Sequence, residues 1–271
     1  MHTSNNTLDT IPKIIHYCWF GKPMPAELKR YVDSWNLLHD YKKMEWNETN
    51  CTFDENEFVR KAYSEKAFGF LGDYYRLKVL YEYGGIYLDT DVKVFKSFDP
   101  LLSNEVFLNF IFNSSIGTAI IGAKPHNPFI KQLLDMYDNT FFDETNTINK
   151  FEIQPNGKIT LNRFETSNHY FTTYILNHYP TLKFNNTYQN MKDFVIYPKE
   201  LFEIGSLLNR HYAIHYCAGA WRTNTTKNNS LKHHIRNVVY KIPKAEILVR
   251  KIRYHKLDKQ IPFYSICENR R

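Results

Sequence analysis

A chain of 271 residues, 43% hydrophobic and 23% charged, can bury a sizeable core, and this composition excludes disordered, fibrous and collagen-like classes. The net charge of +7 is asymmetric: from Arg222 onward 13 Lys/Arg face 3 Asp/Glu, which leaves 22 basic and 25 acidic residues before it. No apolar run of about eighteen residues occurs and Met1 to Thr10 is polar, so neither a membrane span nor an export signal is expected. Four cysteines without CxxC or finger spacing fit reduced thiols, and a cytoplasmic protein is expected.

In chain order, Ile11 to Phe20 reads as a buried first strand, β-branched and aromatic, closed by Gly21. Met24 to Leu38 carries apolar residues at helical spacing and Lys43 to Trp46 returns as a strand, a βαβ opening. Phe70 to Tyr83 repeats at helical period and stops at Gly84-Gly85. The strand Ile86-Tyr87-Leu88 follows, and alternation would point Tyr87, Asp89 and Asp91 to one side. Val106 to Ile121 mixes strand-like runs around Asn113-Ser114-Ser115; Asn127 to Tyr137 reads as a helix, and Asn139 to Lys158 as a loop-rich excursion. Phe171 to Leu176 is expected to be helical, and Phe194 to Tyr197 and Tyr212 to Tyr216 are expected to be strands.

An Asp-x-Asp tripeptide alone is a weak sign, since paired surface aspartates are usually just solvated. Here an apolar strand delivers Asp89 and Asp91, and the preceding helix carries Asp73 and Arg76 on one face. Two carboxylates so spaced can help hold Mg²⁺ or Mn²⁺, whose other positions go to diphosphate oxygens and water. Such an ion neutralises the charge gathered by a departing diphosphate.

The run Gly72-Asp73-Tyr74-Tyr75-Arg76 with Leu80-Tyr81-Glu82-Tyr83-Gly84-Gly85-Ile86-Tyr87-Leu88-Asp89-Thr90-Asp91 resembles the signature of the DXD glycosyltransferases of family 32. That family includes bacterial capsule and O-antigen transferases, yeast initiating mannosyltransferases and, more distantly, clostridial glucosylating toxins. Ile11 to Gly21 is similar to its first strand. The resemblance implies an α/β GT-A fold, a Rossmann-like nucleotide-binding sheet flanked by helices, and transfer with retention of configuration. It implies that Trp19 stacks on the nucleotide base, that Tyr17, Asp73, Arg76 and Tyr87 serve the donor, and that Asp89 and Asp91 are the catalytic, metal-binding pair. Ile214 to Trp221 resembles the family's His-to-Trp segment, which makes His215 a candidate third metal ligand and Trp221 a donor contact that closes over the site. A core role for Trp19, a surface ion pair for Asp73 and Arg76, and a core role for His215 are the competing readings. Where relatives carry a Thr-Gly-Pro-like turn this chain has Thr166-Ser167-Asn168-His169, with Asn113, Asn168 and His169 as further pocket candidates.

The expected division is a catalytic domain over 1–221 and a basic amphipathic helical extension over 222–271. Leu231, Ile235, Val238, Val239 and Ile242 fall on one helical face amid Lys232, Arg236 and Lys241; beyond Pro243, Ile247, Leu248 and Ile252 continue among Lys244, Arg250, Lys251 and Arg253. This suits a peripheral helix on an anionic membrane surface, against the alternative of a helix packed on the domain. No nucleic-acid motif occurs, so nucleic acid is not an expected partner. The leading expectation is Mn²⁺- or Mg²⁺-dependent transfer of a hexose or N-acetylhexosamine from a UDP-sugar to a glycan, lipid-linked acceptor in bacterial surface polysaccharide synthesis. The alternatives are a GDP-mannose-dependent mannosyltransferase, a nucleotidyltransferase, and a non-catalytic nucleotide- or carbohydrate-binding protein.

Overall fold

The computed structural model describes residues 9–145, 151–219 and 242–271. The strands, in chain order, are β1 (Ile14–Cys18), β2 (Lys42–Trp46), β3 (Gly85–Leu88), β4 (Val92–Val94), β5 (Val106–Phe112), β6 (Ser115–Ala123), β7 (Thr140–Phe142), β8 (Ile159–Leu161), β9 (Gln189–Asn190), β10 (Val195–Tyr197) and β11 (Ala213–His215). The helices are α1 (Ala26–Ser34), α2 (Glu57–Ser64), α3 (Phe68–Tyr83), α4 (Pro128–Asp138), α5 (Ser167–His178), α6 (Pro243–Asp258) and α7 (Tyr264–Glu268).

The central sheet has the order β2-β1-β3-β6-β5-β10-β9, with β6 and β9 running against the other strands. Two small sheets pair β4 with β11 and β7 with β8. Alternation along the strands feeds two cores. Tyr87, Ile116 and Ile121 face α2, α3, α4 and α5, whereas Ile86, Leu88 and Ile120 pack with Trp35, Phe98 and Phe202 on the other face. This is the expected α/β architecture, a Rossmann-like sheet flanked by helices, opening with the expected βαβ unit.

Local sequence accounts for the elements that place the site. α3 has almost no polar face: Leu71, Tyr74, Tyr75, Leu77, Val79 and Leu80 are all buried, as befits a helix held between the sheet and α4. Each such side chain contributes roughly 1.5–3 kcal/mol on burial. The helix ends at Gly84, whose φ of 62° favours glycine and whose missing Cβ would lie 2.6 Å from Pro125 Cδ. The expected helix over Met24 to Leu38 is cut short at Ser34, and Trp35–Leu37 tightens into a 3₁₀ turn. That turn buries Trp35, whose Nε1 donates to the Val92 carbonyl at 2.9 Å, so tertiary packing overrides the helical period. α2, not expected from the sequence, starts where Asn56 accepts from the Val59 amide at 2.8 Å. The excursion from Asn139 also holds more order than expected, since β7 pairs in parallel with β8.

α6 packs on β5, where Tyr254 meets Phe112, and buries Glu246, Ile247, Arg250, Tyr254 and Asp258; Asp258 accepts from the Ser114 amide at 3.0 Å. Its opposite side leaves Leu248 and Ile252 exposed, each at 53%. Trp221, the apolar face at Leu231, Ile235, Val238 and Val239, and the expected boundary at 221/222 lie outside the described residues. Among those residues no helix is long and apolar enough to cross a membrane.

Candidate active site

β3 runs parallel to β1 and stops at Leu88, so Asp89 emerges where the two strands end, the usual ligand edge of an open α/β sheet. A tight turn follows, with the Val92 amide donating to the Asp89 carbonyl at 3.0 Å. This turn, rather than continued strand alternation, sets Asp89 and Asp91 side by side. Behind them Arg76 is buried and central. Its Nη2 lies 2.6 Å from Asp73 Oδ1 and 3.4 Å from Asp89 Oδ1, and its guanidinium covers the Tyr87 ring at 4.8 Å. Nε donates to the Gly72 carbonyl and Nη1 to the Thr118 carbonyl. Asp73 Oδ2 accepts from the Ser167 amide at 3.2 Å, at the first turn of α5, and Ser167 Oγ pairs with Thr118 Oγ1 at 2.8 Å.

Burial pushes Asp73 up to about 6, against the pull of Arg76, so both partners are charged at neutral pH. Asp89 is also raised, mainly by burial and further by Asp91, while Arg76 opposes the shift. Burial disfavours charge on Arg76, but Asp89 and Asp73 outweigh it and hold the guanidinium protonated.

The front of the site is closed by β11, which pairs antiparallel with β4 and sets His215 opposite Val92. His215 Nε2 lies 3.3 Å from Asp91 Oδ1, and Asp91 Oδ2 accepts from the Ala218 amide at 2.6 Å. Burial alone would raise Asp91, yet His215 draws it below the usual carboxylate range. For His215 burial opposes protonation, but the charges of Cys217, Glu203 and Asp91 outweigh it and lift the imidazole well above its ordinary value. One ligand atom each from Asp89, Asp91 and His215 falls within 4.8 Å of the others. Two carboxylates and an imidazole, gathered where negative charge exceeds the fixed cations, fit Mn²⁺ or Mg²⁺.

The structure thus brings together Asp73, Arg76, Tyr87, Asp89, Asp91 and His215. Tyr87 is buried beneath Arg76, so it touches the cluster from inside the sheet. Tyr17 and Trp19 sit at the end of β1: the Tyr17 hydroxyl donates to Glu45 at 2.9 Å, and half-buried Trp19 donates to the Lys22 carbonyl at 2.7 Å. Asn113 lies elsewhere, accepting from Lys199 in a cavity bounded by Lys251, Tyr254 and Asp258. Asn168 donates to the Ile116 carbonyl at 2.6 Å, and His169 pairs with Glu165 at 3.2 Å and stacks on Phe151.

Sequence reasoning missed Ser167 as the Asp73 partner, Glu203 behind His215, and the α6 residues that brace β11. Arg250 Nη1 donates to the His215 carbonyl at 3.0 Å and its guanidinium covers Tyr216 at 4.4 Å; the Tyr254 hydroxyl lies 3.3 Å from Cys217 Sγ. Only Glu203 left a trace in the sequence, as a charge set between Phe202 and Ile204.

Residues 25–108 match the protein family described as "Glycosyltransferase sugar-binding region containing DXD motif", which bears out the kinship expected from the motif. Among curated proteins the chain is similar to inositol phosphoceramide mannosyltransferase 3 of Schizosaccharomyces pombe, 30% identical over 144 residues, 48% of this chain and 38% of that one. It is also similar to mannosyl phosphorylinositol ceramide synthase SUR1 of Saccharomyces cerevisiae, 29% identical over 149 residues, 49% of this chain and 37% of the relative. The chain therefore spans well under half the length of these relatives. Among solved structures it is similar to PaToxG glycosyltransferase, at 19% identity and a TM-score of 0.42 over 48% of this chain and 62% of that one.

Proposed function

We propose that this chain is a metal-dependent glycosyltransferase that moves a hexose from a nucleoside diphosphate sugar to a hydroxyl acceptor, with retention of configuration. The observation that carries the reading is the convergence of Asp89, Asp91 and His215 at the end of β3, with Arg76 held behind them. Bound between those three side chains, a divalent cation supplies Lewis-acid neutralisation of the diphosphate leaving group. Arg76 fixes the position of Asp89 and favours its ionised form against the pull of burial. Asp73 and Ser167 hold Arg76 in turn, so the acceptor of the metal is pre-oriented before a donor arrives. Tyr17, Trp19 and Trp221 serve the nucleotide and sugar.

For the donor, the names of the relatives favour a mannosyl nucleotide over the UDP-hexose or UDP-N-acetylhexosamine that the motif first suggested. The same names favour a lipid-borne hydroxyl as acceptor. The outward stripe of α6 supports that placement: exposed Leu248, Val249 and Ile252 lie among Lys244, Lys251, Arg253 and Lys256, the composition of a helix that rests on an anionic bilayer.

The test is a panel of GDP- and UDP-sugars incubated with the protein and Mn²⁺, scoring release of nucleoside diphosphate and the anomeric configuration of product formed on a lipid-linked acceptor. Metal-dependent release of GDP from GDP-mannose is the expected result. With pyrophosphate added to the panel, its consumption with formation of a nucleoside triphosphate and a sugar 1-phosphate would instead assign nucleotidyl transfer, and binding without turnover would leave a non-catalytic sugar-nucleotide binder.

A further inference from the structure

Both nitrogens of the His215 ring are engaged, one on each side of a polar chain that runs into the core. Nε2 faces Asp91, and Nδ1 lies 2.8 Å from Glu203 Oε2. Glu203 is wholly buried; among the described residues its one ion-pair partner is His215, and its other oxygen accepts from Asn109 Nδ2 at 3.0 Å. The contact is local to this fold: the His215 amide also donates to the Glu203 carbonyl at 3.3 Å, which ties the two residues through backbone as well as side chain. Gly117 makes the room. A Cβ there would lie 2.4 Å from Asn109 Nδ2 and 2.8 Å from Glu203 Oε1.

A buried carboxylate with one amide donor and one imidazole is costly to keep unless the imidazole gives it a proton. From this geometry we infer that Glu203 is the positioning residue of the metal site. It accepts a hydrogen bond from Nδ1–H of His215 and fixes the ring's orientation, so that Nε2 is the nitrogen presented to Asp91 and the one that would give up its proton to a cation. The inference rests on the metal-dependent reading above and assigns Glu203 a role outside the coordination sphere, since both its oxygens are already taken. A carboxylate behind a ligating histidine raises the ring's basicity and locks its orientation, and losing one typically weakens metal binding about 10–100-fold.

Glu203→Gln is close to isosteric but inverts the hydrogen bonding. Asn109 donates to one end of the amide, so the other end offers N–H to His215 Nδ1 and forces the ring proton onto Nε2, where a cation would bind. The experiment titrates Mn²⁺, alone and with GDP, into wild type, Glu203→Gln, His215→Ala and the double variant. Free Mn²⁺ is followed by electron paramagnetic resonance and imidazole coordination by its ¹⁴N coupling, with circular dichroism as the fold check. Glu203→Gln is expected to weaken Mn²⁺ about 10–100-fold and to lose the ¹⁴N coupling, and Glu203→Asp to recover part of both. In the His215→Ala background the Glu203 change is expected to cost nothing more, because a positioning residue acts only through the residue it positions.

Wild-type affinity in folded Glu203→Gln overturns the inference while leaving the metal-dependent function standing. An equal further loss in the His215→Ala background overturns it too, and makes Glu203 a ligand in its own right. If wild type takes up no Mn²⁺ with or without GDP, the metal-dependent reading falls and this inference with it.

Discussion

Two buried charged clusters meet at the end of β3, and they are balanced in different ways. The rear cluster, Asp73, Arg76 and Asp89, contains its own permanent cation, and the guanidinium satisfies two carboxylates and two backbone carbonyls at once. The front cluster, Asp91, His215 and Glu203, has only an imidazole to set against two carboxylates. A self-contained cluster is a scaffold, because removing any member leaves the others stranded. A cluster whose one cation is an imidazole can exchange that proton for a metal ion. Asp89 belongs to the rear cluster and also faces the metal site, so the two clusters share the candidate ligands, and the contrast between them can be broken experimentally.

The largest effect is expected at the shared cation. Arg76→Met strips the positive charge from between Asp73 and Asp89, and losing one partner of a buried ion pair typically costs about 3–5 kcal/mol. Urea unfolding measures it, and a loss under about 1 kcal/mol would show that the rear cluster is not self-contained. Next comes the front. Asp91→Asn removes a ligand charge where no fixed cation depends on it, so turnover should fall about 10²–10³-fold while the unfolding midpoint stays near wild type. A large stability loss with turnover retained would reverse the two roles.

A pH experiment sharpens the same contrast at Asp73. Its folded value, pushed up to about 6 by burial, lies above the unfolded value of about 4, so the folded state holds this proton more tightly. Stability from this group is therefore present at low pH and is lost as pH rises through that window, by about 3 kcal/mol for a shift of about two units. Asp73→Asn lacks the titration. The unfolding free energy of wild type relative to this variant should shrink by that amount between about pH 4 and about pH 7. A constant difference would mean that Arg76 compensates Asp73 fully and that burial is not the deciding influence.

These two clusters were unequally legible in the sequence, for a physical reason. The rear one is built from residues close together along the chain. Asp73 and Arg76 share a helix face, and a Gly-Gly stop then returns the chain through a four-residue strand to Asp89. Helical period, a glycine terminus and an apolar strand are all local patterns, and they also gave β1, β2, α3 and α4. The front cluster exists only because β11 crosses back to pair with β4 and because Glu203, Asn109 and Gly117 interlock beneath it. His215 could be picked out through a resemblance, but the carboxylate behind it left only a faint trace, a charge between Phe202 and Ile204, with nothing local to name its partner. Ser167 on α5 and Arg250 on α6 were hidden in the same way. Their partners come from distant elements, and no periodicity records them.

The smallest effect on the fold is expected where the protein meets its surroundings. α6 has two unlike sides: Arg250 and Tyr254 brace β11 and the segment after it, while Leu248, Val249 and Ile252 are exposed on the outward side. Exposed apolar residues contribute little to stability, so Leu248→Ser with Ile252→Ser should move the unfolding free energy by no more than about 0.5 kcal/mol. Against vesicles containing phosphatidylserine the same pair should cost much more, because each loses a side chain worth roughly 1.5–3 kcal/mol when buried in the acyl boundary. Co-sedimentation with vesicles and urea unfolding on the same double variant then separate the two sides of one helix. Unchanged sedimentation would mean that the outward stripe is merely solvated, and that α6 serves the site only through the face that holds His215 in place.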